Sequence, residues 1–306
     1  MSSIMTNTSA MTALKSLTAI NKQIETTQGR ISTGLRVNDA SDNAAYWSIA
    51  TTMKSDNKAL GTVQDALGLG ASKVDVAYTG MDSALDVVDE IKSKLVAAKE
   101  PSADKAKIQS EISELQNQLT SIAESASFNG ENWLSVDSSD AAYSATKSVV
   151  ASFSRASDGS VSVSTIDVDI TATELFDAND QSGILDSTFT TTGAGAVTVS
   201  VSDLDITAAN IDDTDLDEMI SAVDTAFSSM TEAASTLGSS SKRIDLQNEF
   251  VKNLMDAVDR GVGQLVDANM EEESTRLQAL QTQQQLGIQS LSIANSSAQN
   301  ILSLFR

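Results

Sequence analysis

The sequence predicts a mainly α chain with an inserted β-rich domain, in which both chain ends form an elongated antiparallel helical rod or coiled coil. Three observations carry this. Apolar residues recur at three-four spacing through both ends of the chain. That period gives way to short alternating runs between about 136 and 210. A single proline, Pro101, leaves the backbone donors that very long helices need.

Residues 1 to 35 open without a charged side chain before Lys15. Ala10, Leu14, Leu17, Ile24, Ile31 and Leu35 fall on a heptad-like lattice, with Asn21 and Gln28 as polar members. A joint follows at Thr33 to Asp39. Gly34 can take a backbone geometry closed to other residues, and Ser41 or Asp42 is placed to cap the next helix. Arg30 and Arg36, near Asp39 and Asp42, are candidate ion pairs for fixing this turn.

The longest seam runs through Leu60, Val63, Leu67, Gly70, Val74, Ala77, Met81, Ala84, Val88, Ile91 and Leu95. Several of its members are small, so backbones can approach closely. Pro101 ends it and Ser102 can cap a second helix, with the seam Ile108, Ile112, Leu115, Leu119, Ile122 and Ala126. The two read as an antiparallel pair. Phe128-Asn129-Gly130 is a turn signal.

Val161–Ile170 and Ala196–Val201 then alternate as strands, with a short helix expected near Thr173–Asn179. The acidic stretch Asp203–Asp217 lacks calcium-loop spacing and reads as a solvated face. Helical periodicity returns at Leu216. It is interrupted at Gly238-Ser-Ser-Ser241 and resumes through Ile244, Val251, Leu254, Val258 and Leu265.

From Leu277 to Phe305 no side chain is charged, and Gln, Ser and Asn are frequent. Ile288, Leu291, Ala298, Leu302 and Phe305 lie on one lattice with Asn295 as its polar member; Leu277 extends it backwards past Gln281 and Gln284. Uncharged amides opposite an apolar stripe suit a helix surrounded by helices. Isolated helices of this kind are marginal, so the two ends together, or with copies from neighbouring molecules, are expected to form a continuous helical core. The expected domains are 1–40 with 270–306 as a terminal core, 41–138 with 236–269 as a helical rod, and 139–235 as the outer insert; residues 236–306 make up the returning rod helix and the C-terminal core helix.

The formal net charge of −22 argues against nucleic-acid binding. No cysteine and no histidine means no disulfide, no thiolate metal site and no usual general base. No nucleophile–base pair or phosphate loop is present, so the reading assigns no catalytic residue, cofactor or metal, and no enzyme activity. The opening residues lack a basic region followed by an apolar run, and no apolar stretch reaches membrane length. Neither a cleaved secretory leader nor membrane insertion is expected.

Both ends resemble bacterial flagellin. At the amino end the match is Gln28-Gly-Arg-Ile-Ser-Thr-Gly-Leu-Arg-Val-Asn-Asp-Ala-Ser-Asp-Asn-Ala-Ala45. At the carboxyl end it runs from Leu265-Val-Asp-Ala-Asn-Met-Glu-Glu-Glu273 through Gln283-Gln-Gln-Leu-Gly-Ile-Gln-Ser-Leu291 to Ala294-Asn-Ser-Ser-Ala-Gln-Asn-Ile-Leu-Ser-Leu-Phe-Arg306. Ile108-Gln-Ser-Glu-Ile112 and Ser127-Phe-Asn-Gly130 resemble a third internal segment of that family.

The resemblance implies a secreted filament subunit for motility, exported unfolded and added to the flagellum beneath a cap. Its partners would be copies of itself, an export chaperone, the cap and hook-junction proteins. Arg30, Gly34, Arg36, Asp39 and Asp42 would hold an inter-domain joint, and the terminal lattices would form the filament core. Tyr46-Trp-Ser-Ile-Ala50 departs from the common family pattern and resembles a variant of soil and plant-associated α-proteobacteria. Val88-Asp-Glu-Ile-Lys-Ser-Lys94 stands where enteric members carry an arginine-rich run read by an innate immune receptor, which implies weak recognition here. The competing readings are a hook-filament junction protein, with similar ends, and an extracellular adhesin or binding module.

Overall fold

The structure, a computed structural model, describes residues 7–141 and 143–303, with side chains described as far as 297. Phe305, the side chains of Ala298 and Leu302, and the first six residues therefore lie outside the described residues. The chain divides into two compact units, Met1–Lys58 with Met255–Arg306, and Ala59–Leu254.

The first unit holds two terminal helices. Helix α1 (Thr8–Thr33) starts at Asn7, whose side chain accepts from the Ala10 amide at 3.0 Å. It stops at Gly34, where φ of +73° lets the amide turn back to the Arg30 carbonyl. Helix α5 (Met270–Ser303) is capped by Asn269, which accepts from the Glu271 amide at 3.1 Å. Three glutamates in its first turn complement the helix dipole.

Between these helices the chain is locked to the segment preceding α5. Arg36 and Val37 donate their amides to the Val266 carbonyl, and Ala268 donates to Gly34. Val37, Ala50, Val262 and Val266 close a small core beside Leu35, Met53, Val258 and Leu265.

Helix α2 (Ala40–Ala98) contains a break at Asn43 (φ −160°, ψ 101°). The Asn43 side chain accepts from the amides of Ala45 and Tyr46, both at 3.1 Å, and so caps the long run that follows. Ser41 and Asp42, the expected caps, do not hold that place. Ser41 donates to Asp39, and Asp42 accepts from the Asn38 amide.

In the second unit, α2 runs antiparallel to α4 (Asp213–Val266). Lys92 pairs with Asp224, Lys99 with Asp217 at 2.5 Å, and the Tyr78 ring lies over Gly238. The seam residues Leu60, Val63, Leu67, Val74, Met81, Ala84, Val88, Ile91 and Leu95 are buried. The expected interruption at Gly238–Ser241 is absent, and α4 passes through it without a break. Ser239 bonds the Thr236 carbonyl within its own helix and Ser241 bonds Asp75 on α2. Hydroxyls that compete with a helix when solvated are here taken up, one within α4 and one by the neighbouring α2.

Helix α3 (Lys105–Ser125) returns antiparallel to α2, with Lys94 against Glu111 at 2.6 Å and Ala126 against Gly80. Its cap is Asp104, which accepts from the Lys107 amide, and not Ser102. Ile112, Leu119 and Ala123 are buried, while Ile108, Leu115 and Ile122 are half-buried.

The insert is made of small two-stranded sheets. Strands β1 (Ser127–Phe128) and β2 (Glu131–Asn132) form a hairpin around Asn129 and Gly130, both at positive φ, as a primed turn requires. Strand β3 (Ser135–Val136) pairs in parallel with β6 (Phe176–Asp177). Strands β4 (Thr146–Arg155) and β5 (Val161–Asp169) form the longest ladder, with an irregularity between Val150 and Ser152. Strand β7 (Phe189–Thr190) pairs with β8 (Thr198–Val199).

No helix forms near Thr173–Asn179. The Leu175 and Phe176 amides go to the Leu134 carbonyl, removing donors that a helix would use. Nor is the acidic stretch wholly solvated. Asp212 accepts from the Thr214 and Asp215 amides at the start of α4, and Asp215 is fully buried. The Thr191 hydroxyl, then the Gly195 and Asp212 amides, outweigh burial and hold its pKa at about 2.

Four polar side chains of α3 and α4 hold the insert by its backbone. Gln109 and Gln116 donate to the Leu204 carbonyl and Gln116 also to Val201, while Arg243 and Gln247 donate to the carbonyls of Asp167 and Ala151.

Two glycines mark close approach. A Cβ on Gly70 would clash with the Val149 side chain, and one on Gly80 would sit 2.7 Å from Leu134 Cδ1. Gly68 faces open space. Gly70→Ala should cost about 1–3 kcal/mol through overpacking, and Gly68→Ala should gain about 0.5–1 kcal/mol from helix propensity. Opposite shifts in thermal midpoint by circular dichroism check this pair.

Glu131 lies between Lys73 at 2.5 Å and Lys147 at 3.0 Å. Burial alone would raise its pKa, but hydrogen bonds and charge from the two lysines prevail and bring it to about 2. A lowered folded-state pKa gives stability that is present above the ordinary glutamate range and lost as pH falls toward 2. Glu131→Gln should therefore lose no more than about 1 kcal/mol at pH 7, the group being partly solvated. Urea midpoints of variant and parent should converge as pH drops from 5 to 2.

Candidate assembly site

Helices α1 and α5 run antiparallel. Asn7 Nδ2 donates to the Ala294 carbonyl at 3.0 Å, Gln284 Nε2 to Asn21 Oδ1 at 2.7 Å, and Arg30 to Glu273 at 3.2 Å. From α1 the facing residues are Ala10, Ala13, Leu17, Ile20, Ile24, Thr27 and Ile31; only Thr27 is fully buried. From α5 they are Glu273, Leu277, Leu280, Gln284, Gly287, Leu291 and Ala294, a continuous three-four series.

This differs from the lattice read off the sequence. Leu291 and Leu277 face α1, but Ile288 and Asn295 are exposed. Gly287 takes the place beside them, with Leu17 Cδ1 only 3.2 Å from where a Cβ would stand. A glycine in the seam brings the helices close and turns Ile288 outward. On α1, Leu17, Ile24 and Ile31 are half-buried while Leu14 is exposed. Asn21 and Gln284 make an amide–amide bond across the pair.

At the joint, Arg30 and Arg36 do not pair with Asp39 and Asp42. Arg30 and Arg276 each reach Glu273 Oε1 at 3.2 Å, and Glu273 is buried. The Arg36 guanidinium donates to the Leu265 carbonyl at 2.8 Å. Asp39 is consumed by the Ser41 hydroxyl and amide, which hold its carboxyl below the usual range. Asp42 accepts from the Asn38 amide. Short-range turn bonds claim both aspartates before a long cation can.

Sequence reading missed Thr27, Glu273, Leu280 and Gly287. Glu273 was visible only as part of an acidic run. Counting glycine and glutamate as seam members at three-four spacing would have found the series.

An open groove of about 710 Å³ runs along this pair, lined by Lys22, Thr26, Arg30, Arg276, Leu280 and Gln283 among others. Outside the contact the helices expose Met11, Leu14, Leu286, Ile288 and Ile293, at 53–68 % of full accessibility. Charge is divided unevenly. The unit containing these helices has nine Lys and Arg against ten Asp and Glu; the other has eleven against thirty-two. No described helix is long and apolar enough to cross a membrane.

The family model for the bacterial flagellin N-terminal helical region matches residues 4–139, and that for the C-terminal helical region matches residues 220–305. The chain belongs to the bacterial flagellin family. Flagellin C of Rhizobium meliloti (strain 1021) is 55% identical over 322 aligned residues, and Flagellin A of the same strain 48% over 396; each match covers all of both chains. A flagellin of Brucella melitensis biotype 1 is 47% identical over 308 residues, again covering both chains fully. This flagellin is a structural subunit of the flagellar filament. Residues 140–219, most of the insert, fall between the two family regions.

Glu273→Ala should weaken the α1–α5 pairing by about 1–3 kcal/mol, since it strips a buried acceptor from two guanidinium groups. Filaments of the variant should come apart at a lower temperature. Melting of residues 59–254, followed through the buried Trp133, should stay unchanged.

Proposed function

We propose that α1 and α5 form the self-assembly core of the filament, and that neighbouring copies cover the apolar residues the pair leaves outside. The observation that carries this is the coincidence of exposed Met11, Leu14, Leu286, Ile288 and Ile293 with a nearly neutral unit in a chain of net charge −22. Apolar surface of this kind is buried by association, and near-neutrality spares it the like-charge repulsion that the second unit would meet.

Leu17, Ile24, Ile31, Leu277 and Leu291 hold the pair together. Leu14, Ile288 and Asn295 face the neighbours. Arg30, Gly34, Arg36, Asp39 and Asp42 set the chain path between α1 and α2. Ordering two thinly packed helices costs conformational entropy, which the contacts of assembly offset. The subunit acts outside the cell, with an export chaperone, a filament cap and hook-junction proteins as its other partners.

Removal of residues 1–40, or of 270–306, should abolish tubes in negatively stained electron micrographs under conditions where the intact chain polymerises. Truncated chains that form tubes as readily as the intact one would refute this assignment.

A further inference from the structure

Asn43 to Met53 is an uncharged run between Asp42 and Lys54. It forms the first turns of α2 beyond the Asn43 cap. Ala50 and Met53 turn inward to Val37, Val258, Val262 and Val266. Tyr46, Trp47 and Ile49 stay outside, exposed at 42, 38 and 49 %. Tyrosine and tryptophan so placed are the residues that dominate the desolvated centre of protein interfaces.

The character of the patch restricts what can cover it. Burying aromatic surface against an unpaired charge is costly, and most of this chain's charged groups are acidic. Beyond Arg276, by contrast, α5 presents no charged side chain among the described residues, and it exposes Leu286, Ile288 and Ile293 among amides and hydroxyls. Both surfaces belong to the nearly neutral unit. Within one molecule all six of these residues remain exposed, so they do not cover each other.

We propose that Tyr46, Trp47 and Ile49 of one subunit dock on the Leu286–Ile293 stretch of α5 in a neighbouring copy. This contact rests on the assembly reading above and adds to it a specific pair of surfaces. Amide and hydroxyl groups on α5 can meet the Tyr46 hydroxyl and the Trp47 indole N–H, while the aliphatic residues meet the rings.

The chain has two tryptophans and no cysteine, which makes a direct test possible. Trp133 is buried with no partner for its indole N–H, so Trp133→Phe removes no hydrogen bond and leaves Trp47 as the reporter. On polymerisation the acrylamide quenching of Trp47 should fall severalfold and its emission should shift to the blue. Trp47→Ala should raise the critical concentration for polymerisation about tenfold or more, as loss of a buried aromatic anchor does.

In a separate background with both tryptophans otherwise native, subunits carrying Trp47→Cys are mixed with subunits carrying Ile288→Cys, polymerised and oxidised. A disulfide between the two requires Cα atoms within about 7 Å, so a cross-linked heterodimer is expected. It should be absent when Leu246→Cys replaces Ile288→Cys. Filaments in which Trp47 remains fully quenchable would overturn the inference while leaving the assembly reading intact. So would a protected Trp47 whose cysteine variant links to Met11→Cys on α1 but not to Ile288→Cys. Failure of the intact chain to polymerise at all would remove both.

Discussion

Two helices that bury almost nothing between them depend on a third party. Among the described residues α1 buries only Thr27, and α5 buries Glu273 and Leu280. By comparison α2 buries an unbroken seam from Leu60 to Leu95. Helices draw most of their stability from packing, and the α1–α5 pair has only half-buried apolar contacts, such as those of Leu17, Ile24 and Leu291, and three cross-links of modest strength. The Arg30–Glu273–Arg276 cluster is the strongest of these, because its acceptor is buried and both its donors are charged. It also fixes how the two helices are staggered, since a slip by one turn would strand Glu273.

The separation of charge follows the same logic. The surfaces proposed to approach one another in the filament sit in a unit whose charges nearly cancel. The acidic excess is kept in the other unit, where it keeps subunits soluble and opposes irregular contact. Within that unit several cations are paired locally, as Lys73 and Lys147 are with Glu131 and Lys94 is with Glu111. The arrangement places attraction and repulsion in different parts of one chain.

Much of this architecture was legible in the sequence because long helices advertise themselves by period. The seam from Leu60 to Leu95, the antiparallel return of α3 and the hairpin at Asn129-Gly130 all follow from local rules. What was not legible depended on partners distant in the chain. The serines at 239 and 241 read as a break until Thr236 and Asp75 are seen to take their hydroxyls. Thr173–Asn179 read as a helix until Leu134 is seen to take two of its amides. In the candidate site Leu277, Gln284 and Leu291 keep their places in the lattice, while Leu280, Gly287 and Ala294 stand where the sequence suggests Gln281, Ile288 and Asn295, because a glycine does not advertise itself as a packing residue. The arginines near the joint aspartates suggest ion pairs, but nearer hydroxyl and amide groups hold both carboxylates.

The hold that α3 and α4 keep on the insert has an evolutionary consequence. Four long polar side chains, Gln109, Gln116, Arg243 and Gln247, grasp peptide carbonyls of the insert. A carbonyl is present whatever residue carries it. The outward-facing side chains of those segments can drift, and a surface can change its appearance, while the helical scaffold keeps the same grip.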